Sequence, residues 1–335
     1  MATSTALREL TTERAAIRFA EPFRIANYLF EAMPSVVARI AQDGSVGRGE
    51  AAGVYYLGDD QDAMLKTVEE VRGEIELGLS RDDLQHFLPP CGARNAIDCA
   101  LWELDARLAG TPVWQLAGVP KPKPLVTTFT LPADDPSVLA VKVNRLSFAK
   151  AIKLKLDGNI DVDRERITVV RLARPDVWLS VDANQGFLPS DLDELARICR
   201  DFSISLIEQP LKRGEEAGLG GWRPGIPVAA DESILDLDEL RERANHFDVI
   251  NIKLDKCGGL TEALKMARAS RLLGKEVMVG NMGGSTLAMA PGFVVGQLCD
   301  IVDLDGPYSL ADDPLAAQIY SDGNVFIPET IWGCA

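Results

Sequence analysis

The chain has 335 residues, of which 47% are apolar and 25% charged, proportions that exclude wholesale disorder and, at about 150 residues per domain, suit two domains or one barrel-sized unit. Acidic residues outnumber basic ones by 50 to 35, a formal charge of −15 that repels phosphate backbones and anionic lipid heads unless a local basic patch intervenes, and the sequence carries none. No stretch approaches the roughly 20 uncharged apolar residues of a membrane span, and the opening MATSTALRELTTER lacks an apolar signal core, so a cytoplasmic protein without nucleic-acid or membrane partners is expected.

Ser35–Ile40 and Gly47–Ala51 read as short strands on either side of an Asp43-Gly44 turn, a hairpin signal. Gln61–Leu79 and Arg94–Leu108 carry helical periodicity, and in the second Ile97, Leu101, Leu104 and Leu108 recur every three or four residues until Gly110 stops the run. Strands followed by helices predict a small α+β domain over 1–120. From about Lys123 short apolar strands alternate with amphipathic helices. The strands are Val126–Thr130, Ala151–Lys155, Val177–Val181, Ser205–Ile207, Val228–Ala230, Val249–Ile252, Glu276–Val279 and Ile301–Leu304. Eight βα units predict a parallel barrel over 121–310 rather than an open sheet. The remaining 311–335 holds no ninth unit, and its Ile327, Ile331 and Trp332 are expected to find burial against the N-terminal domain.

Parallel barrels place their active sites at the C-terminal ends of the strands. Taken in order, those ends read Lys153-Leu154-Lys155, Asp182-Ala183-Asn184, Glu208-Gln209-Pro210, Asp231-Glu232-Ser233, Asn251-Ile252-Lys253 and Asp303-Leu304-Asp305. Residues two apart share a strand face, so Lys153 with Lys155, Asp182 with Asn184, and Asp303 with Asp305 point into the mouth together. One such pair is an ordinary solvated strand end or helix cap; this many in register make a site. Asp182, Glu208 and Asp231 offer hard oxygen ligands on consecutive strands, a set suited to Mg²⁺. Lys155 and Lys253 come from opposite sides of the mouth and face one another across a substrate. Lys153 beside Lys155 adds like-charge repulsion that favours the neutral amine a general base requires. Asn184 and Glu232 are supporting residues, Glu232 as a partner for Lys253 or a neighbouring cation.

With two histidines, His86 and His246, in no triad-like setting, and six scattered cysteines without a CxxC pair, the sequence argues against a zinc site, a disulfide framework and a Ser-His-Asp hydrolase. Gly280-x-x-Gly283-Gly284 and Gly258-Gly259 do not match a nucleotide-binding fingerprint and read as tight turns at the rim.

The succession KLK, DAN, IEQP, ADES, NIKLDKCGG and DLDGP, with the helix NAIDCALWEL ahead of it, resembles the enolase superfamily in its muconate-lactonizing subgroup, over about Arg18 to Gly333. The resemblance implies a modified TIM barrel of (β/α)7β type under an N-terminal α+β capping domain. It implies Mg²⁺ on Asp182, Glu208 and Asp231 with the substrate carboxylate as a further ligand. The reaction it implies is a 1,1-proton transfer: one of Lys155 and Lys253 removes an α-proton, an enediolate forms, and the other lysine returns a proton on the opposite face. Asp303-x-Asp305 resembles the pair with which dipeptide epimerases hold the free α-ammonium of a dipeptide. Two carboxylates attract that cation and repel the anionic end of a succinylated or aromatic acid. Thr128 and Thr130 look similar to substrate-contacting threonines of the family, and read equally well as β-branched strand residues.

Glu21–Phe30 resembles the mobile loop with which such proteins cover the site. Relatives acting on Ala-Glu place an arginine a few residues past the Pro-Phe pair, where this chain has Asn27 and Tyr28; Arg24 is the nearby cation, in another register. Arg24 and Tyr28 are the candidate contacts from this loop, and Tyr28, Leu29 and Phe30 suit an apolar second side chain better than glutamate. Tyr55-Tyr56 is a candidate wall from a second cap loop. The expected activity is Mg²⁺-dependent epimerisation of a dipeptide at its C-terminal residue. The alternatives on the same fold are N-acylamino acid racemisation with o-succinylbenzoate synthesis, muconate cycloisomerisation, or a catalytically silent binding barrel. The expected partner is a small dipeptide, and symmetric homo-oligomers are common among such barrels.

Overall fold

In the computed structural model, residues 7–25 and 28–335 are described. β1 (Glu9–Ile25) and β2 (Tyr28–Gln42) form a long antiparallel hairpin, and β2 pairs in turn with β3 (Ser45–Ala51). Asp43 and Gly44, at φ 51° and 77°, supply the left-handed pair that a two-residue hairpin turn needs. Helices α1 (Gln61–Glu76), α2 (Arg81–Phe87) and α3 (Gly92–Ala109) cover this sheet. α3 lies directly on β3 because Gly47 and Gly49 carry no side chain. A Cβ on Gly47 would stand 1.9 Å from the Ala100 carbonyl oxygen, and one on Gly49 2.1 Å from that of Ala96.

A short strand β4 (Leu125–Val126) precedes eight parallel strands paired in chain order: β5 (Thr128–Leu131), β6 (Ala151–Lys155), β7 (Trp178–Asp182), β8 (Leu206–Glu208), β9 (Val228–Ala230), β10 (Val249–Lys253), β11 (Glu276–Gly280) and β12 (Ile301–Val302). β6 and β10 are buried along their whole length, as strands covered on both faces must be. Leu206, Ala229, Val249 and Met278 pack into one small cluster drawn from four of these strands.

β5 and β12 stand at the two ends of the strand order, and side chains bring them together. The amide of Leu304 donates to Thr127 Oγ1 (2.9 Å), the amide of Thr130 to Asp305 Oδ2 (2.6 Å), and the Thr128 hydroxyl to Asp303 Oδ1. β12 is two residues shorter than its apolar run predicts: past the amide of Asp303, which still donates to the Val279 carbonyl (2.8 Å), these side-chain bonds take over.

Cap and barrel are docked by buried polar contacts. Arg94 of α3 donates to the carbonyls of Cys257 and Gly258, while Asp98 accepts from Thr261 through its amide (2.9 Å) and hydroxyl (2.6 Å). The amide of Gly53 donates to Asp255 at 2.9 Å. The C-terminal segment returns to the cap, with the Trp332 indole donating to the Arg48 carbonyl (2.8 Å) and the Val113 amide to that of Gly333 (2.9 Å). Among the described residues, no helix is long and apolar enough to cross a membrane.

Candidate active site

The strand register assembles the site. Lys155 pairs with Asp182 and Asp182 with Glu208, so three charged residues lie side by side at the ends of β6, β7 and β8. Asp231 follows β9 directly, and carboxylate oxygens of Asp182, Glu208 and Asp231 lie within 4.8 Å of one another. Asn251 Nδ2 donates to Glu208 Oε1 at 2.7 Å, while Glu208 Oε2 is buried without a hydrogen-bond partner among the described residues. Burial first, and the Asp182 charge second, push the Glu208 carboxyl up to about 7. An all-oxygen donor set with an orphaned buried oxygen and deficient countercharge fits a hard divalent cation.

Each lysine rests on a carboxylate. Lys155 Nζ is 2.6 Å from Asp182 Oδ2, and Lys253 Nζ 2.6 Å from Asp231 Oδ2. β6 and β10 have three strands between them either way round the barrel, so the two amines enter from opposite walls. Lys153 pairs with Asp303 and stands 3.7 Å from Glu208 and 4.0 Å from Asp182. It therefore has its own countercharge, distinct from that of Lys155. Burial lowers the proton affinity of Lys153 and of Lys253, but nearby carboxylates outweigh it and hold both ammoniums above their ordinary value. For Asp231 burial acts the other way and is outweighed by Lys253 and Lys256, which hold its carboxyl below the usual range.

Above this floor is a cavity bordered by Lys153, Lys155, Lys253, Asn184, Glu232, Asp303 and Asp305. Glu232 and Asn184 each turn a buried oxygen without a partner among the described residues, and burial with the Asp231 charge pushes the Glu232 carboxyl up to about 8. Asp303 has both oxygens engaged, by Thr128 and Lys153. Asp305 is raised to about 6 by burial and then by the charge of Asp303.

The two threonines divide. Thr130 borders the cavity, whereas Thr128 is 1% exposed and stands behind Asp303. The cap supplies Phe19, Phe23, Met33, Tyr55 and Tyr56 to the cavity wall. Arg24 is exposed on the hairpin opposite Leu29 and does not border the cavity. Tyr28 opens β2 opposite Ile25, its side chain, like Asn27, falling outside the described residues. Phe19 and Phe23, stacked at 5.6 Å, lie on β1, a strand the sequence pattern does not announce, so no strand face placed them at the site. Met33, Tyr308 and Leu310 also border the cavity without having been singled out. Lys256 was passed over as well: it lies on the helical turn Leu254–Cys257 after β10, where strand alternation has ended.

Residues 7–118 match the mandelate racemase / muconate lactonizing enzyme N-terminal domain, and residues 139–320 the enolase C-terminal domain-like family. The chain is 33% identical to the L-Ala-D/L-Glu epimerase of Escherichia coli K12 over 308 residues, 91% of this chain and 95% of that protein. Among solved structures it is similar to an enolase family member of Agrobacterium tumefaciens with bound sodium and L-Ala-L-Glu (TM-score 0.91, 33% identity, 97% of this chain and 100% of that one). It is also similar to a dipeptide epimerase of Enterococcus faecalis V583 complexed with Mg and L-Leu-L-Tyr (TM-score 0.85, 29% identity, 92% and 93% covered). With two matched domains that together span most of its length, and with acid and lysine residues at the strand ends, the chain belongs to the enolase superfamily, as a member built from the mandelate racemase / muconate lactonizing enzyme type of cap and barrel.

Proposed function

We propose that the chain is a Mg²⁺-dependent dipeptide epimerase that inverts the α-carbon of the C-terminal residue by 1,1-proton transfer. The observation that carries this reading is the opposed pair Lys155 and Lys253, each 2.6 Å from an oxygen of the acidic cluster and both bordering one cavity. Asp182, Glu208 and Asp231 would hold the metal, which when bound offsets the negative charge that builds on the substrate carboxylate as the α-proton leaves. One lysine takes that proton from its own side of the carbon and the other delivers one from the opposite side, which inverts the centre through an enediolate. Lys153, tied to Asp303, stays cationic and adds fixed positive charge beside the developing one. Asp303 and Asp305 supply the anionic wall for the dipeptide's α-ammonium. In this reading Asp305 makes the direct contact, since Asp303 already serves Thr128 and Lys153. Asn184 and Glu232 turn spare oxygens toward the bound ligands.

The second side chain is apolar in this reading. The cap wall of Phe19, Phe23 and Met33 offers no countercharge for a glutamate, and Arg24 points to solvent. The test is α-proton exchange in D₂O with Mg²⁺ and pooled L,L-dipeptides, read by mass spectrometry. A gain of about one mass unit in dipeptides with apolar second residues is expected. Labelling of Ala-Glu alone would overturn the apolar assignment, and labelling of an N-acylamino acid but no dipeptide would replace the whole reading with that of a racemase.

A further inference from the structure

The proton-transfer scheme leaves one buried residue of the IEQP motif without a part. Gln209 is 1% exposed and sits at φ +38°, a left-handed conformation that strains a residue bearing a Cβ. Its side-chain amide is fully occupied. Oε1 accepts from the backbone N–H of Asp231 (2.9 Å) and of Ser233 (3.1 Å), and Nε2 donates to the Leu211 carbonyl (2.8 Å) and to Ser233 Oγ (2.7 Å).

These bonds span one of the thinly paired joints of the barrel. β8 and β9 pair over only Ile207↔Val228 and Glu208↔Ala229, so little ladder fixes Asp231 relative to Glu208. Gln209 follows Glu208 in the chain and holds the amide of Asp231 through space. Lys256 holds the other side of Asp231, at its carbonyl and at Oδ1 (2.7 Å). With amide, carbonyl and Oδ1 taken, Asp231 turns Oδ2 toward Lys253 and the acidic cluster.

We propose that Gln209 is a positioning residue for the metal centre: it couples the spacing of Glu208 and Asp231, and the free energy of its strained backbone is offset by the fixed geometry it imposes on two oxygen donors. This rests on reading Asp182, Glu208 and Asp231 as a Mg²⁺ site. Gln209 touches neither substrate nor metal and acts through Asp231. Packing alone would not call for glutamine here, because asparagine or glycine tolerates the same φ at lower strain.

The test is calorimetric titration of Mg²⁺ into the wild type, Gln209→Gly and Gln209→Asn, with the thermal midpoint of each metal-free protein. Gln209→Gly relieves the backbone and removes the bridge. Gln209→Asn keeps an amide and tolerates the φ but is one methylene too short to reach Asp231; it carries the test if the glycine variant fails to fold. The expected result is a roughly 10- to 100-fold loss of Mg²⁺ affinity, the usual scale for groups behind a ligand, with the metal-free midpoint of Gln209→Asn within a few degrees of wild type. Unchanged affinity in the variants overturns the role of Gln209 and leaves the metal site standing. A wild type that takes up no Mg²⁺ overturns both. Loss of affinity that tracks an equally large loss of metal-free stability in both variants assigns Gln209 to the scaffold and overturns the positioning role.

Discussion

Lys155 and Lys253 are chemically alike and stand on opposite walls of the barrel, so in the proposed reaction their removal separates the two directions. Lys155→Met and Lys253→Met are each expected to lower epimerisation by about 10²- to 10⁴-fold, the usual scale for a lost acid–base group. Each should keep deuterium exchange from one configuration of the α-carbon only, a different one in each variant, as measured with L,L- and L,D-dipeptides in D₂O. At the anionic wall, the Asp305 carboxyl is raised to about 6 by burial and by Asp303. It binds an ammonium only when ionised, so dipeptide affinity should climb as pH rises through about 6 and then level off, and Asp305→Asn should abolish that limb in a pH profile of kcat/KM. These residues were legible in the sequence because a strand has a period of two, which places Lys153 with Lys155 and Asp303 with Asp305 on one face. Phe19 and Phe23 lie on β1, which the sequence pattern does not announce as a strand, and Lys256 lies beyond the end of β10, so no such rule reached them.

Strands and helices were the most readable level, since all eight barrel strands begin within two residues of their apolar runs. β1 was not: its ELTTERAAIRF stretch is polar and mostly exposed, with no buried face to announce it. The contact of α3 with β3 has a sequence signature only in retrospect, in the alternate glycines Gly47 and Gly49. Backbone atoms of α3 occupy the space where a Cβ would go, and neither element is free to retreat. Gly49→Ala should therefore destabilise the cap by about 3 kcal/mol, the upper range for overpacking, as measured by chemical denaturation. Mg²⁺ affinity of the protein that remains folded should be unchanged, because the barrel ligands lie outside this contact.

At the scale of the molecule, the β1–β2 hairpin reaches from the cap onto the barrel rim. Phe19 bridges to Leu310, the Ala311 amide donates to the Arg18 carbonyl (2.8 Å), Arg18 pairs with Asp312 (2.8 Å), and Glu21 pairs with Arg145 (2.6 Å) and Lys142 (3.3 Å). Such exposed pairs contribute about 0–1 kcal/mol each and weaken with salt, which suits a cover that must release its product. Glu21→Gln combined with Arg18→Gln should raise the dipeptide KM a few-fold, remove the salt dependence of KM between about 0.05 and 0.5 M, and leave the thermal midpoint nearly unchanged. Two regions of different pattern were visible in the sequence, but the docking of Arg94 on Gly258 was not, since residues so far apart carry no common period.

The closure of the barrel between β5 and β12 has a consequence for how such a protein can diverge. Asp303 and Asp305 hold the first strand and the last together through Thr128 and Thr130, and the same two carboxylates form the wall assigned to the substrate's cation. A lineage moving toward an uncharged or acylated substrate would gain from losing those charges, yet each loss also opens the barrel at its weakest joint. Substrate charge and barrel integrity are therefore inherited together, and an exchange of one demands a new fastening for the other.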